Sequence, residues 1–361
     1  MLNDLPTELI QLIFSYASGS GSTDADPMNT SLAISQISRR WNAIATATPA
    51  LWSTINVVVD AASSNPPLNV IEQWLHLSRN HPLTLRLARK MLESEERLTT
   101  QEEIAASVMD LFFMNMHRWR AIDFTFGSKL HAPPSPSFCN EQDIDMPLLE
   151  RITLHRGYAT AVVPWISIAV SSPRLTHLTV SQGNLSTSAM LLLCVNWNSI
   201  THLSIERLSG DACLHIFRNA PRLVDCAFSF IHSAPSEVYV DSVVPATPLP
   251  PVTLAHLEKL AFDWCLGWPG SDDSKFDCMF DAIRAPKLRS LDVRTMLRMG
   301  SWDDAPFARF LADSRLEVVD RQCDGVDGPV PDEDEILVVP KHSLTLRECM
   351  SSFTRAGLAS L

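Results

Sequence analysis

The chain has 361 residues, enough to bury one large core or two, and its balance of 46% hydrophobic to 19% charged residues is that of an ordinary globular protein. A net charge of −12 and a pI near 5.3 argue against nucleic acid or an acidic membrane as the main partner, because phosphate binding needs clustered Lys and Arg. The eight cysteines form no C-x-x-C pair, no apolar run approaches bilayer length, and no basic N-terminal segment leads into an apolar one. That combination is expected of an intracellular protein with reduced, buried thiols, placed in the cytoplasm, the nucleus or both.

Leu5-Pro6-Thr7-Glu8-Leu9-Ile10 opens the first element. Pro6 suits a first helical turn, where its missing N–H would be unpaired anyway, and Glu8 sets a carboxylate against the positive end of the helix dipole. Leu9, Ile10, Leu12, Ile13, Phe14 and Tyr16 follow, apolar on nearly every side. A surface helix needs only one apolar stripe, so this one carries more oily surface than a small core can hide. Residues 18–30, with Gly19, Ser20, Gly21, Ser22 and Thr23, read as an inserted loop. Leu32, Ile34, Ile37, Trp41 and Ile44 then recur at helical spacing, with Arg39, Arg40 and Asn42 opposite. Pro49 ends that helix, and Leu51-Trp52 form a further apolar pair. About fifty residues without a metal cluster or cysteine cannot support an independent core, so a partner must cover them. The partner is either another chain or the rest of this one, in which case residues 5–52 would cap a larger domain.

The ordered set Leu5-Pro6, Glu8-Leu9-Ile10, Ile13-Phe14, Arg39-Arg40-Trp41 and Leu51-Trp52 resembles an F-box, the helical module that docks a substrate receptor onto the adaptor of a ubiquitin ligase. Ser38 stands where that family often has cysteine, and the 18–30 segment is longer than usual. Thr48-Pro49-Ala50-Leu51-Trp52 ahead of a strand looks especially like the large fungal F-box families.

Beyond Trp52, Thr54–Val59 reads as a strand, Val70 to Leu77 as a helix, Leu83, Leu85 and Leu87 as an alternating strand, and Thr100–Met116 as another helix. A repeated unit then appears, with apolar residues at its first, fourth and sixth positions. It occurs as Trp119-Ile122-Phe124, Leu149-Ile152-Leu154, Leu175-Leu178-Val180, Ile200-Leu203-Ile205, Leu223-Cys226-Phe228, Leu257-Leu260-Phe262 and Leu288-Leu291-Val293, with Leu316-Val319 as a degraded copy. Pro147, Pro173, Pro221 and Pro286 precede copies, and helix formers fill stretches such as Asp211–Asn219. This resembles the irregular leucine-rich repeats found behind F-boxes, in which each unit gives a short parallel strand and a returning helix. The alternative is a generic α/β sheet, but no Gly-rich phosphate loop follows an early strand.

The expected fold is therefore α/β: an N-terminal helical F-box over 1–53, a connecting α/β segment over 54–115 that starts the solenoid, an irregular leucine-rich-repeat solenoid over 116–320, and an acidic loop with a C-terminal cap over 321–361. Pro235, Pro245, Pro248, Pro250 and Pro251 mark a loop that stretches one repeat, Asp320–Glu335 is acidic and solvated, and Leu344–Leu361 could form a capping helix.

No catalytic motif stands out, and the eleven histidines include no ligand pair, so neither cofactor, metal nor catalytic residue is expected. His177, His202 and His256 suggest a column on one face of the repeats. The F-box resemblance implies a Skp-type adaptor and, through it, a cullin as partners. By that resemblance Leu5, Pro6, Leu9, Ile10, Ile13, Phe14, Ile37, Trp41, Leu51 and Trp52 form the adaptor-facing and module-core set, with Glu8 and Arg39 at its polar rim. Trp264, Trp268 and Trp302 are the candidates for target contact. The resulting function is that of a substrate receptor; the alternatives are a non-ligase scaffold, or an enzyme with a site in the loops around 231–275.

Overall fold

Strand formation follows wherever apolar residues alternate with polar ones, and helices follow wherever they recur every three or four. A computed structural model describes residues 5–19, 27–90, 95–125, 146–157, 172–183, 195–206, 208, 210–231, 251–265, 279–296, 304–314 and 343–348. The chain is a mixed α/β protein with N-terminal helices and parallel strands, and it divides into two compact units, Met1–Arg174 and Leu175–Leu361.

The first unit begins with α1 (Thr7–Gly19), α2 (Pro27–Gln36) and α3 (Arg39–Thr46), followed by a single 3-10 turn over Pro49–Trp52. The periodicity from Leu32 to Ile44 suggested one helix; the structure breaks it at Ile37-Ser38, where Ser38 adopts an extended backbone and caps α3. Helix also extends into both ends of the expected 18–30 loop, reaching Gly19 and resuming at Pro27. Four parallel-sheet strands follow with their crossover helices: β1 (Thr54–Val59), β3 (Leu83–Arg89), β4 (Trp119–Thr125) and β5 (Arg151–Gly157), with α4 (Leu68–Leu77) and α5 (Glu95–Phe113) between the first three. A two-residue strand β2 (Ser64–Asn65), invisible in the sequence pattern, pairs antiparallel to β1.

Register across this sheet aligns Ile55 with Leu85, Leu85 with Ile122, and Ile122 with Ile152, all buried. Alternate residues point to the other face, as the period-two geometry of strands demands. Helix α5 lays Ala105, Val108 and Phe112 on the buried side, where Phe112 stacks on Phe124 at 6.0 Å. Two buried polar side chains close the strand and helix ends. The Gln101 amide donates to the carbonyls of Val59 and Lys90 at 3.0 and 2.9 Å and accepts from Arg89 Nε at 3.2 Å. Arg118 donates to the His81 carbonyl, the Asn115 side chain and the Ser78 hydroxyl, holding the C-terminal turn of α4 against the entry to β3. Such groups are tolerated inside because their hydrogen bonds are made.

The second unit contains the parallel strands β6 (His177–Gly183), β7 (His202–Glu206), β8 (Asp225–Ile231), β10 (Lys259–Cys265), β12 (Ser290–Met296) and β13 (Ser343–Glu348), side by side in chain order. A separate parallel pair joins β9 (Val252–Thr253) to β11 (Ile283–Arg284). Each described copy of the sequence unit supplies one strand, and the registers superimpose its positions: Leu178 on Leu203, Cys226, Leu260 and Leu291, and Val180 on Ile205, Phe228, Phe262 and Val293. The first residue of each copy, from Leu175 to Leu288, is buried just ahead of its strand. Helix α6 (Gly210–Asn219) packs Phe217 against Phe228 at 5.4 Å, and both Cys213 and Cys226 are buried thiols. Helix α7 (Asp304–Ser314) buries Phe307, Phe310 and Leu311.

Two expectations are corrected here. Where the sequence suggests a capping helix over Leu344–Leu361, Ser343–Glu348 is a strand parallel to β12, with Leu344 and Leu346 in register with Leu291 and Val293, and residues 349–361 lie outside the described residues. The histidine column holds two members rather than three. His177 and His202 stack at 4.1 Å, whereas His256 lies in the turn before β10 and Lys259 occupies the matching place. Residues 315–342, including the degraded repeat copy and the acidic segment, lie outside the described residues, as does most of the proline-rich 231–256 stretch.

Candidate functional site: an apolar stripe on the first helix

Exposure sorts the candidate residues into two groups. Ile10, Phe14, Trp41, Leu51 and Trp52 are buried in the isolated chain. Phe14 packs on Trp41 with ring centroids 5.1 Å apart, and Trp52 lies 6.1 Å from Trp74 of α4. The Trp52 indole donates to the Ala45 carbonyl at 2.8 Å, and the Ser31 hydroxyl donates to the Leu51 carbonyl at 3.0 Å. These residues hold the three helices together and fasten them to the strands that follow. The buried Trp41 Nε1 finds no hydrogen-bond partner among the described residues.

The second group faces water. Leu9 is 47% exposed, Leu12 53%, Ile13 41%, Tyr16 72% and Ile37 60%. Leu9, Leu12, Ile13 and Tyr16 are spaced i, i+3, i+4 and i+7, so they line one side of α1 while Ile10 and Phe14 line the other. Single exposed apolar residues are unremarkable, but a continuous helical stripe of four marks an interaction surface. Leu12 and Tyr16 belong to it although they were not singled out as contact candidates; the helical spacing already contained that signal. Pro6, Glu8 and Arg39 are exposed, and Leu5 is half-buried. Arg40 secures the start of the helix by donating to the Leu5 carbonyl at 2.7 Å.

The local fold explains how such a surface persists. Ser38 accepts from the Trp41 backbone N–H at 3.1 Å, capping α3 so that the helix starts at Arg39 and Ile37 stays outside both helices. Asn42 ties the two helices by donating to the Ser35 carbonyl at 3.0 Å. The stripe is thus displayed by a packed scaffold rather than by a loose segment.

For the target-contact tryptophans the structure gives less. Trp264 lies in β10, paired through its backbone with Thr295, while Trp268 and Trp302 lie outside the described residues. Among the described residues no group of three or more His, Cys, Asp or Glu could hold a metal ion, and no helix is long and apolar enough to cross a membrane.

Residues 2–57 match the F-box-like family model, so the three helices, the Pro49–Trp52 turn and β1 as far as Val57 constitute an F-box-like domain at the head of an α/β chain. A comparison with curated proteins finds no match.

Proposed function

We propose that this protein is the substrate-recognition subunit of an SCF-type (Skp–cullin–F-box) ubiquitin ligase. The exposed stripe Leu9, Leu12, Ile13 and Tyr16 with Ile37 docks on the apolar groove of a Skp-type adaptor, with Glu8 and Arg39 at the rim. The observation that carries this reading is the stripe itself: an F-box-like helix whose inner face is filled by its own module while its outer face stays open. The parallel-strand region, with one strand per sequence unit in chain order, supports an irregular leucine-rich-repeat solenoid of the fungal F-box kind as the target-binding part. The chain needs no catalytic residue of its own. It raises the local concentration of a bound target beside a ubiquitin-loaded enzyme held elsewhere in the assembly, in the cytoplasm or nucleus.

Co-expression of the full chain with a Skp adaptor and cullin tests the reading. Wild type should capture both, and Leu12→Glu, which buries a charge against an apolar groove, should capture neither while keeping the wild-type melting temperature. Capture of the adaptor without cullin would favour a scaffold that uses the same domain outside a ligase. Capture unaffected by Leu12→Glu would remove α1 as the contact.

A further inference from the structure

In a chain of net charge −12, the solvent face of the first unit's sheet gathers arginines. Arg86 projects from β3 and Arg151 from β5, and both are exposed. Arg120 is an extra residue at a register shift between β3 and β4, and it reaches over this face to donate to the Thr84 hydroxyl at 3.2 Å. Asp123 on β4 is the carboxylate between them among the described residues of these strands, 3.3 Å from Arg86 and 3.1 Å from the imidazole of His155 on β5. Glu150 stands just before β5, at the edge of the patch. Three guanidiniums against the bridged Asp123 carboxylate and Glu150 at the edge still leave this face net positive in an acidic protein.

Register fixes their arrangement. Arg151 lies opposite Ala121, which lies opposite Thr84; Arg86 lies opposite Asp123, which lies opposite Thr153. Strands are spaced about 4.8 Å apart and successive same-face residues about 6.8 Å, so the roots of Arg86 and Arg151 are separated by roughly 12 Å. A phosphate site would gather guanidiniums around one point. Here their roots are spread over three strands, a spacing that suits a row of separate carboxylates.

We propose that this face binds an Asp/Glu-rich segment of the target protein. The inference rests on the substrate-receptor reading and names the chemistry of its target. The charges act as an electrostatic rim that steers and orients an acidic peptide, with Asp123 holding Arg86 and His155 in place.

The test uses the full chain and a fluorescein-labelled peptide of alternating Glu and Ser, followed by anisotropy. A Gln/Ser peptide and a peptide with one phosphoserine in the Gln/Ser background serve as comparators. The Glu/Ser peptide should bind best and weaken as salt rises, because exposed charges are screened within about 10 Å at 0.1 M. Each exposed arginine should contribute about threefold, so Arg86→Gln with Arg151→Gln should weaken binding roughly tenfold. The double lysine variant, Arg86→Lys with Arg151→Lys, should stay near wild type, since distributed charge rather than fork geometry is required. Equal binding by the double Gln variant, or equal binding of the Gln/Ser peptide, overturns the proposal. Preference for the phosphoserine peptide overturns the Asp/Glu choice. Leu12→Glu should bind the peptide normally; loss of adaptor capture with peptide binding intact, or the reverse, therefore tells which of the two readings has failed.

Discussion

The F-box-like helices and the parallel strands handle apolar residues in opposite ways. In strands β4, β7 and β8, alternation sends every second residue inside: Ile122 and Phe124, Leu203 and Ile205, and Cys226 and Phe228 are all buried, and the residues between them are half-buried on the other face. In α1 the apolar residues exceed what the module can enclose. Ile10 and Phe14 go in, and Leu9, Leu12, Ile13 and Tyr16 stay out. Among the described residues the strands shelter their apolar side chains, while α1 leaves a stripe of four exposed. Composition does not distinguish the two regions; the geometry of burial does.

The most disruptive way to break this contrast is Phe14→Ala. Phe14 is fully buried and packs on Trp41, so its truncation should cost about 3–5 kcal/mol, read from denaturant unfolding of the N-terminal module. Adaptor capture should fall with it, and the far-UV circular dichroism of the strand region should persist. Collapse of the whole spectrum would mean that residues 5–52 serve as a cap for the strands instead.

Arg118→Met comes next and tests the other region. It removes the donors that satisfy the His81 carbonyl and the Ser78 hydroxyl in a buried setting, while keeping much of the side-chain volume. Arg118 is buried, and that burial draws its pKa below the ordinary value. Leaving those acceptors unpaired should cost about 1–3 kcal/mol in thermal unfolding, with adaptor capture unchanged.

Tyr16→Ala sharpens the same contrast from the outer face. At 72% exposure it should leave stability within about 0.5 kcal/mol of wild type, as surface substitutions usually do. Adaptor affinity should nevertheless fall by about 2 kcal/mol, roughly thirtyfold, if Tyr16 is an interface anchor. Equal affinity measured by calorimetry would confine the contact to Leu9, Leu12, Ile13 and Ile37.

Much of this contrast can be read in the residues. The strand Thr54–Val59 and the strands carrying each apolar unit follow from period-two alternation, and the excess of apolar residues in α1 follows from counting sides of a helix. Which of those residues face inward does not. Periodicity places Leu9 and Ile10 on different sides, but only packing against Trp41 decides that the Phe14 side is the inner one. The break between α2 and α3 was hidden because Ile34, Ile37, Trp41 and Ile44 keep helical spacing across it. A short alternating run such as Leu344 and Leu346 is ambiguous without its pairing partner, and Ser343–Glu348 becomes a strand only beside β12. Arg118 and Gln101 gave no pattern at all: their roles depend on carbonyls distant in sequence, at His81 and Val59.

The smallest expected effect concerns Ser38, which stands where the resemblance expects a cysteine. Its backbone is extended at φ −158° and ψ 163°, and its hydroxyl accepts from the Trp41 N–H, so it is the N-cap of α3. The first N–H groups of any helix lack intrahelical partners, and an oxygen at this position satisfies one of them. Ser38→Ala should therefore cost about 1 kcal/mol in the unfolding of the module, and Ser38→Asp, whose carboxylate can accept the same bond and favours the helix dipole, should cost nothing or stabilise. Because Ile37 is held at the residue just before this cap, Ser38→Ala should also weaken adaptor binding, by less than Tyr16→Ala does. If Ser38→Ala and Ser38→Asp unfold alike, side-chain size rather than the cap governs the junction, and the display of Ile37 must be attributed to the packing of Ile34 and Trp41 instead.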